Sequence, residues 1–197
     1  MNHPLESSSA ILRASEAKPS NGGPSFPLWH RLYRALWACV WLGLGQWTPA
    51  PLHSWRRLLL ISFGAKIDRT AKVYPNVTVW YPPHLSMDAY STLGPGVVCY
   101  CMAPIHLEPF ALVSQRAHLC AGTHDIDDSD FQLQARPITI GSRAWVAAEA
   151  FVGPGVSIGN GAVLGARAVA MKRLEPWTVY AGNPARPLRQ RIHAEPE

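Results

Sequence analysis

The sequence IGSRAW-VAAEAF-VGPGVS-IGNGAV-LGARAV, residues 140–169, repeats one pattern every six residues. An aliphatic residue leads each hexad, glycine or alanine stands second, and alanine or valine stands fifth. Neither the 3.6-residue period of a helix nor the two-residue alternation of a strand produces this spacing. Short strands joined by tight turns do, so we predict an all-β solenoid. Its leaders should fill the interior, its small fifth residues should lie where the wall is closest to the axis, and its second-position glycines should mark sharp bends.

The hexads extend from Ile67 to Glu175 and are less regular in the first half. Two-residue slips at 85–86 and 105–106 separate groups of three hexads, and an acidic excursion at 124–137 interrupts the spacing. A β-sandwich would instead show strict alternation with turns every 8–12 residues. The chain is therefore predicted to consist of a flexible tail (1–25), a helical segment (26–63), the solenoid (64–175) and a C-terminal extension (176–197).

The composition narrows the class of protein. Only 16% of the 197 residues are charged, which disfavours a coiled coil and a charge-rich disordered chain. The net charge of +5 is compatible with nucleic acid, anionic lipid or a phosphorylated cofactor as a partner. The four cysteines lie mostly among apolar or small residues, so we expect reduced thiols and a cytoplasmic protein. They are Cys39, Cys99, Cys101 and Cys120.

The segment before the solenoid has a helical pattern of apolar residues. Residues 28–47 carry this pattern with Arg31 and Arg34 near its start, and a second apolar and basic stretch follows at 55–61. The uncharged part is shorter than the roughly 20 residues that span a bilayer. We expect these helices to pack on their own domain or on a partner subunit. The alternative is peripheral contact with the inner face of a membrane through residues 28–61.

Three motifs accompany the hexads. Cys-Ala-Gly-Thr-His-Asp (120–125) precedes the excursion, Ala-Trp-Val-Ala-Ala (144–148) follows it, and Ala-Gly-Asn-Pro-Ala-Arg (181–186) ends the repeats. Together they resemble the hexapeptide-repeat acyltransferases, in their colanic-acid and exopolysaccharide O-acetyltransferase branch. The resemblance implies a left-handed parallel β-helix, a homotrimer, and direct transfer of an acetyl group from acetyl-CoA to a sugar or exopolysaccharide-precursor hydroxyl, with no metal and no nucleic acid.

The resemblance also assigns roles to residues. His124 is the candidate general base, since histidine titrates near neutrality and can take the hydroxyl proton. The backbone amide of Ala148 is the expected donor to the developing oxyanion. The side chains expected at CoA are Trp145, Ala147 and Ala166 along pantetheine, and Lys172, Arg173 and Arg186 at the phosphates.

Contacts to the acceptor are expected from the excursion and from one unusual position. Asp125 and Asp127, with Asp128 beside them, can accept hydrogen bonds from sugar hydroxyls. Related enzymes commonly carry asparagine where this chain has Cys101. A thiol is a much weaker hydrogen-bonding group, so either the acceptor is held differently or the activity is reduced.

Two other functions fit parts of the sequence. The γ-class carbonic anhydrases use the same solenoid and bind zinc through three histidines, for which this chain offers His106, His118 and His124. The spacing of His106 and His124 by three hexads predicts that they stack on one face. A non-catalytic scaffold is the third possibility, and Cys101 is its best argument.

Overall fold

The computed structural model describes residues 25–192, so the predicted tail lies outside the described residues except for Ser25. The helices are α1 (Leu28–Val40), a π-helical turn (Trp41–Gly45), α2 (His53–Ser62) and a 3-10 turn (Pro82–His84). The strands are β1 (Lys66–Ile67), β2 (Lys72–Val73), β3 (Thr78–Val79), β4 (Leu85–Met87), β5 (Thr92–Leu93), β6 (Val98–Tyr100), β7 (Ile105–Leu107), β8 (Leu112–Val113), β9 (His118–Cys120), β10 (Gly122–His124), β11 (Leu133–Ala135), β12 (Ile138–Ile140), β13 (Trp145–Val146), β14 (Phe151–Val152), β15 (Ser157–Ile158), β16 (Val163–Leu164), β17 (Val169–Ala170), β18 (Thr178–Ala181) and β19 (Arg186–Gln190).

Parallel strands in three sheets form the sides of the solenoid. The first sheet contains β1, β4, β7, β12 and β15, the second contains β2, β5, β8, β13, β16 and β18, and the third contains β3, β6, β9, β14 and β17. Each coil contributes one strand to each sheet. The result is a β-solenoid of about six turns, which confirms the predicted fold class.

The pairing register explains both the hexads and their slips. In the second half, Thr139 pairs with Ser157, eighteen residues on, so a regular coil is three hexads long. In the first half, Leu85 pairs with Ile105, twenty residues on. The two additional residues of this coil enter at the corner after the third sheet, between β6 and β7; in the coil before it, the same corner forms the 3-10 turn Pro82–His84.

The hexad positions pack as predicted. Leaders such as Leu93, Val113 and Leu164 are fully buried. Fifth-position residues such as Ala111 and Ala150 are fully buried as well. Leaders and fifth residues belong to one continuous hydrophobic core that runs the length of the solenoid. Because this interior is close-packed, the fifth position accepts only small side chains.

The second-position glycines have a different cause from the predicted bend. A Cβ atom on Gly141 would lie 2.7 Å from the carbonyl oxygen of Ile158, and one on Gly159 would lie 2.6 Å from the nitrogen of Pro176. Glycine is needed there because the next coil passes so close. The chain turns at the fourth position instead, where Glu149, for example, has a φ of 59°.

The helices cover the open end of the first coil with their inner faces. Trp37 and Trp41 are buried, and each donates its indole N–H at 2.7 Å to a carbonyl oxygen in or just before β3. The buried Arg56 donates from Nε to the carbonyl oxygen of Val73 at 2.7 Å. These side chains supply donors to the edge of the first coil, where no preceding coil does so. The predicted packing of this segment on its own domain is thus confirmed for the inner helix faces.

The excursion is an antiparallel pair of strands, β10 and β11, between β9 and β12. Gly122 pairs with Ala135 and His124 with Leu133, so the chain leaves the solenoid at Gly122. This is earlier than the predicted boundary, because Gly122 and Thr123 fit the hexad pattern without forming a coil.

Beyond the last hexads, the predicted extension adds another strand to the solenoid. β18 pairs in parallel with β16, and β19 turns back to pair antiparallel with β18. Among the described residues, no helix is both long and apolar enough to cross a membrane.

Candidate active site

His124 lies on β10, at the base of the excursion. Its Nδ1 atom is 2.8 Å from the carbonyl oxygen of Phe131, and its ring stacks on the Phe131 ring with 4.5 Å between centroids. A carbonyl oxygen can only accept, so Nδ1 carries the proton. The Nε2 atom of this partly exposed side chain therefore keeps its lone pair, and the imidazole is oriented as a proton acceptor.

The acidic residues of the excursion divide into two kinds. Both carboxylate oxygens of Asp125 accept hydrogen bonds, from the Asp127 amide at 3.2 Å and from Nε2 of Gln134 at 2.9 Å. Asp128 likewise accepts from the Asp130 amide at 2.7 Å. Asp127 is exposed. Asp125 and Asp128 thus hold the loop, whereas Asp127 offers its carboxylate to solvent.

In some coils the backbone amide of the third hexad position has no hydrogen-bond partner within the described chain. Ala148 and Ala166 occupy this position in successive coils, at the corner between the second and third sheets, and both are at least partly exposed. Within the described chain neither amide has a hydrogen-bond acceptor. Other hexads carry proline here, which has no N–H to offer. These are Pro75, Pro95, Pro109, Pro154 and Pro176. This corner therefore has two backbone donors without a partner in the described chain, about 4.8 Å apart.

Trp145 lies on the second sheet. Its Nε1 donates to Oγ of Ser114 at 2.8 Å, and its half-exposed ring lines a surface cavity of about 480 Å³ with Phe110 and Leu112. Ala147, by contrast, is buried, and its amide donates to the carbonyl oxygen of the next coil at 2.9 Å. Its small side chain therefore allows adjacent coils to pack close together.

The three predicted phosphate-binding side chains are brought together. Lys172, Arg173 and Arg186 line one surface cavity of about 280 Å³ beside the last coil. All three are exposed, and the one ion pair that they form within the described chain is long, with 3.6 Å between Nε of Arg173 and the carboxylate of Glu175. This cavity has the charge that a phosphate group requires.

Comparison with known proteins identifies the family. The colanic acid biosynthesis acetyltransferase WcaF of Escherichia coli K12 is 39% identical over 160 residues, which are 81% of this chain and 88% of that protein. The chain belongs to the hexapeptide-repeat acetyltransferases. The galactoside O-acetyltransferase of Escherichia coli K12 is 37% identical over 160 residues, covering 81% of this chain and 66% of that protein. No protein-family model matches the sequence.

Solved structures agree on the fold of this acetyltransferase. The hexapeptide-repeat acetyltransferase VCA0836 from Vibrio cholerae superposes with a TM-score of 0.75 at 21% identity, covering 85% of this chain and 95% of that one. A galactoside acetyltransferase in complex with coenzyme A superposes with a TM-score of 0.73 at 20% identity, covering 85% of each chain.

Cys101 of the acetyltransferase lies inside the solenoid. The residue has no exposed surface, and its Sγ lies 3.3 Å from both the amide nitrogen and the carbonyl oxygen of Tyr81. Burial raises the pKa of its thiol to about 11. The predicted contact between Cys101 and an acceptor is therefore not available in this structure, because the two additional residues of the coil turn the side chain inward.

The three histidines of the metal hypothesis lie on different elements of the acetyltransferase. His106 is on β7 and bonds Oδ2 of Asp88 at 2.8 Å, and His118 is on β9 against Phe151. The residue paired with His106 in the next coil is Thr139. The predicted stacking of His124 over His106 is wrong, because the excursion removes His124 from the coil. Residues 25–192 contain no cluster of three side chains suited to a metal ion.

The predicted site of the acetyltransferase is divided within one chain. His124 leaves the solenoid at the corner between the third and first sheets, whereas Ala148 and Ala166 lie at the corner between the second and third. Among residues 25–192, no hydrogen bond or ring contact joins His124 to either alanine or to the basic cavity.

Two residues that position candidate groups of the acetyltransferase were not predicted from the sequence. Phe131 orients His124 through its carbonyl oxygen and its ring, and Ser114 anchors Trp145 through its hydroxyl. A backbone carbonyl leaves no signature in a sequence. Ser114 stands in a hexad like any other, and only the pairing of β8 with β13 brings it close to Trp145.

Proposed function

We propose that the protein transfers an acetyl group from acetyl-CoA directly to a hydroxyl of a sugar or exopolysaccharide precursor, with His124 as the general base. The observation that carries this proposal is the hydrogen bond from Nδ1 of His124 to the Phe131 carbonyl oxygen. It gives an acetyltransferase of this family an exposed imidazole in the one tautomer that can take a proton at Nε2.

The chemistry requires no covalent acyl-enzyme. The acceptor hydroxyl oxygen attacks the thioester carbonyl carbon while Nε2 of His124 takes the hydroxyl proton. The thioester oxygen becomes an oxyanion, and the free amide of Ala148 donates to it. When this intermediate collapses, the carbon–sulfur bond breaks and the imidazolium returns its proton to the CoA sulfur.

The donor molecule would lie along the corner between the second and third sheets. Its pantetheine amides can accept from Ala166, one coil beyond Ala148, and Trp145 supplies an apolar wall nearby. The phosphates would enter the cavity lined by Lys172, Arg173 and Arg186. A galactoside acetyltransferase of the same fold has been solved in complex with coenzyme A, which supports a CoA site on this solenoid.

The names of the relatives and the acidic residues of the excursion indicate the class of the acceptor. WcaF is named for colanic acid biosynthesis, and the other relative is named for galactosides. We assign Asp127 to an acceptor hydroxyl because its carboxylate is exposed, and Asp125 to the shape of the loop that presents it.

We further propose a homotrimer in which His124 of one copy meets Ala148 and Ala166 of a neighbour. The support is the position of the base and the amides at different corners of one chain. Closed threefold symmetry would form three equivalent sites, each between two copies.

The base is tested by steady-state kinetics with acetyl-CoA and a panel of sugar acceptors. His124→Ala should lower kcat by about 10²–10⁴-fold, the range of general-base catalysis. His106→Ala is the matched control, since it removes a histidine with a carboxylate partner elsewhere on the solenoid. Equal activity of His124→Ala and wild type would refute the base. Equal losses in both variants, with zinc bound to wild type, would favour the metal hypothesis instead.

The shared site is tested by co-expressing two inactive variants, His124→Ala and Ala148→Pro. If base and amide come from different copies, some mixed sites have both intact groups and activity returns. If both come from one chain, every site has a defect and the mixture stays inactive. The trimer itself is checked by light scattering of the wild type.

A further inference from the structure

The outer surface of the N-terminal helices is apolar. α1 buries Trp37 against the solenoid, yet on its other side Leu32 and Leu36 are 61% and 58% exposed. A helix with large apolar residues on both its inner and its outer side is normally covered on both sides. We call the exposed large hydrophobic residues of this segment the apolar face. They are Leu28, Trp29, Leu32, Leu36, Leu42, Leu44, Trp47, Leu52, Trp55, Leu58 and Ile61.

The apolar face is continuous from one helix to the next. Nε1 of Trp55, in α2, donates at 2.7 Å to the carbonyl oxygen of Leu44, in the π-helical turn that follows α1. Trp47 lies close by in sequence, is 68% exposed, and donates to the carbonyl oxygen of Gly43 at 2.9 Å. Tryptophan has an apolar body with one polar group and is enriched where a protein meets the headgroup level of a membrane.

The charges around the apolar face have one sign. Residues 25–67 contain no aspartate or glutamate, whereas Arg31 and Lys66 are exposed. Arg34 lies over the Trp80 ring, 4.1 Å from its centroid, and lines a cavity of about 370 Å³ between α1 and the third sheet. Its Nε atom is buried and has no hydrogen-bond partner within the described chain, so Arg34 belongs to the inner side of α1. Arg31, which is exposed, is the arginine that can meet an anionic oxygen from outside.

We propose that the apolar face lies on an anionic lipid bilayer, with the exposed Arg31 contacting lipid phosphates. A second copy packed on the same face through a twofold axis would bring the basic residues of both copies together with no carboxylate to offset them. The face lies on the bilayer rather than crossing it, because the 13 residues of α1 rise only about 20 Å against a hydrocarbon core of about 30 Å. The binding is independent of the proposed acetyl transfer.

Vesicle co-sedimentation of the full chain tests the proposal, with phosphatidylcholine vesicles compared with mixed phosphatidylcholine and phosphatidylglycerol vesicles. We expect tighter binding to the mixed vesicles. Leu32→Ser with Leu36→Ser should weaken it at least about tenfold, since two side chains lose their burial. Arg31→Gln should weaken it about fivefold on mixed vesicles alone. The matched control is Tyr90→Ser with Phe110→Ser, an exposed stacked pair on the solenoid, which should bind as wild type does.

Three results would overturn the proposal. The first is a wild type that binds neither kind of vesicle. The second is equal binding by wild type and the double leucine variant, with circular dichroism showing both folded. The third is a smaller particle mass for the double leucine variant than for the wild type in light scattering. That result would show that a second copy covers the face in the wild type. Acetyl transfer to a water-soluble acceptor, measured on the same samples, reports the proposed function separately.

Discussion

Replacement of Ala148 by proline removes one hydrogen-bond donor with little other change. Proline has no N–H, and the amide of Ala148 has no acceptor within the described chain. Proline already occupies the same hexad position at Pro95 and Pro154, so the local backbone accepts its fixed φ angle. A proline at a compatible position stabilises a protein by about 0.4–1 kcal/mol through the unfolded state. The Ala148→Pro variant should therefore fold and unfold much as the wild type does.

The expected loss is catalytic. Removal of a single oxyanion donor lowers kcat by about 10²–10³-fold, or about 2.7–4 kcal/mol in the barrier. The KM for acetyl-CoA should change little, because the donor acts on charge that develops only in the transition state. The assay is release of the CoA thiol at varied acetyl-CoA and saturating acceptor, together with thermal unfolding of the same sample.

Ala89→Pro is the matched control for this experiment. Ala89 has the same hexad position, its amide is also without an acceptor in the described chain, and Pro109 follows it one coil later at the same corner. That corner lies between the first and second sheets, away from the proposed site. A kcat within about threefold of wild type in Ala148→Pro would refute the oxyanion role. Equal losses in both proline variants would show that coil distortion, and not the missing donor, causes the effect.

Further predictions concern the phosphates, pH and the helical cap. Combined replacement of Lys172, Arg173 and Arg186 by glutamine should raise the KM for acetyl-CoA at least about tenfold. The KM for an acetyl-CoA analogue that lacks the 3′-phosphate should stay the same. The buried His30 has its pKa lowered to about 4 by burial and by the nearby Arg34 charge. Below pH 6.5 the unfolded chain therefore binds a proton at His30 that the folded chain does not bind. The free energy of unfolding consequently decreases as the pH decreases. Between pH 7 and pH 5 the wild type should lose about 2 kcal/mol more than His30→Phe in urea unfolding. Arg56→Lys keeps the charge but loses the Nε bond to the Val73 carbonyl oxygen and should cost about 3 kcal/mol in the same measurement.

The regular hexads predict the solenoid because each hexad position has one structural role. Leaders such as Leu164 and fifth residues such as Ala150 face a close-packed interior, and a side chain of the wrong size would be felt in the adjacent coils. The slips and the excursion are harder to place. Gly122 and Thr123 satisfy the pattern, and only their antiparallel pairing with Gln134 and Ala135 shows that they have left the coil.

Sequence motifs indicate the candidate site where side chains carry the chemistry, whereas the backbone donor at Ala148 is supplied by the family resemblance alone. His124 and the basic residues Lys172 and Arg186 stand in recognisable motifs, and the structure gives them suitable surroundings. The inward turn of Cys101 could not be predicted from its hexad position, because Tyr81 and Ala121 are buried at the same position whereas Ala148 and Ala166 are at least partly exposed. For α1 the sequence left packing and membrane contact open, since helical spacing does not say which of its apolar side chains the solenoid covers.

Backbone donors at a fixed spacing are a product of the solenoid itself. At Ala89, Ala148 and Ala166, all third hexad positions, the amide has no acceptor within the described chain, whereas the third-position amide of Ser142 donates to Glu108 and Asn160. Along the corner between the second and third sheets, the first two coils have no donor at this position, because Pro75 and Pro95 lack an N–H. The next three coils have one, at Gln115, Ala148 and Ala166. Since proline is compatible with this position, the fold does not require these donors, which agrees with the proposed role of Ala148 and Ala166. A pantetheine arm with amide groups of its own, ending in a thioester, is a ligand that could use several of them in line.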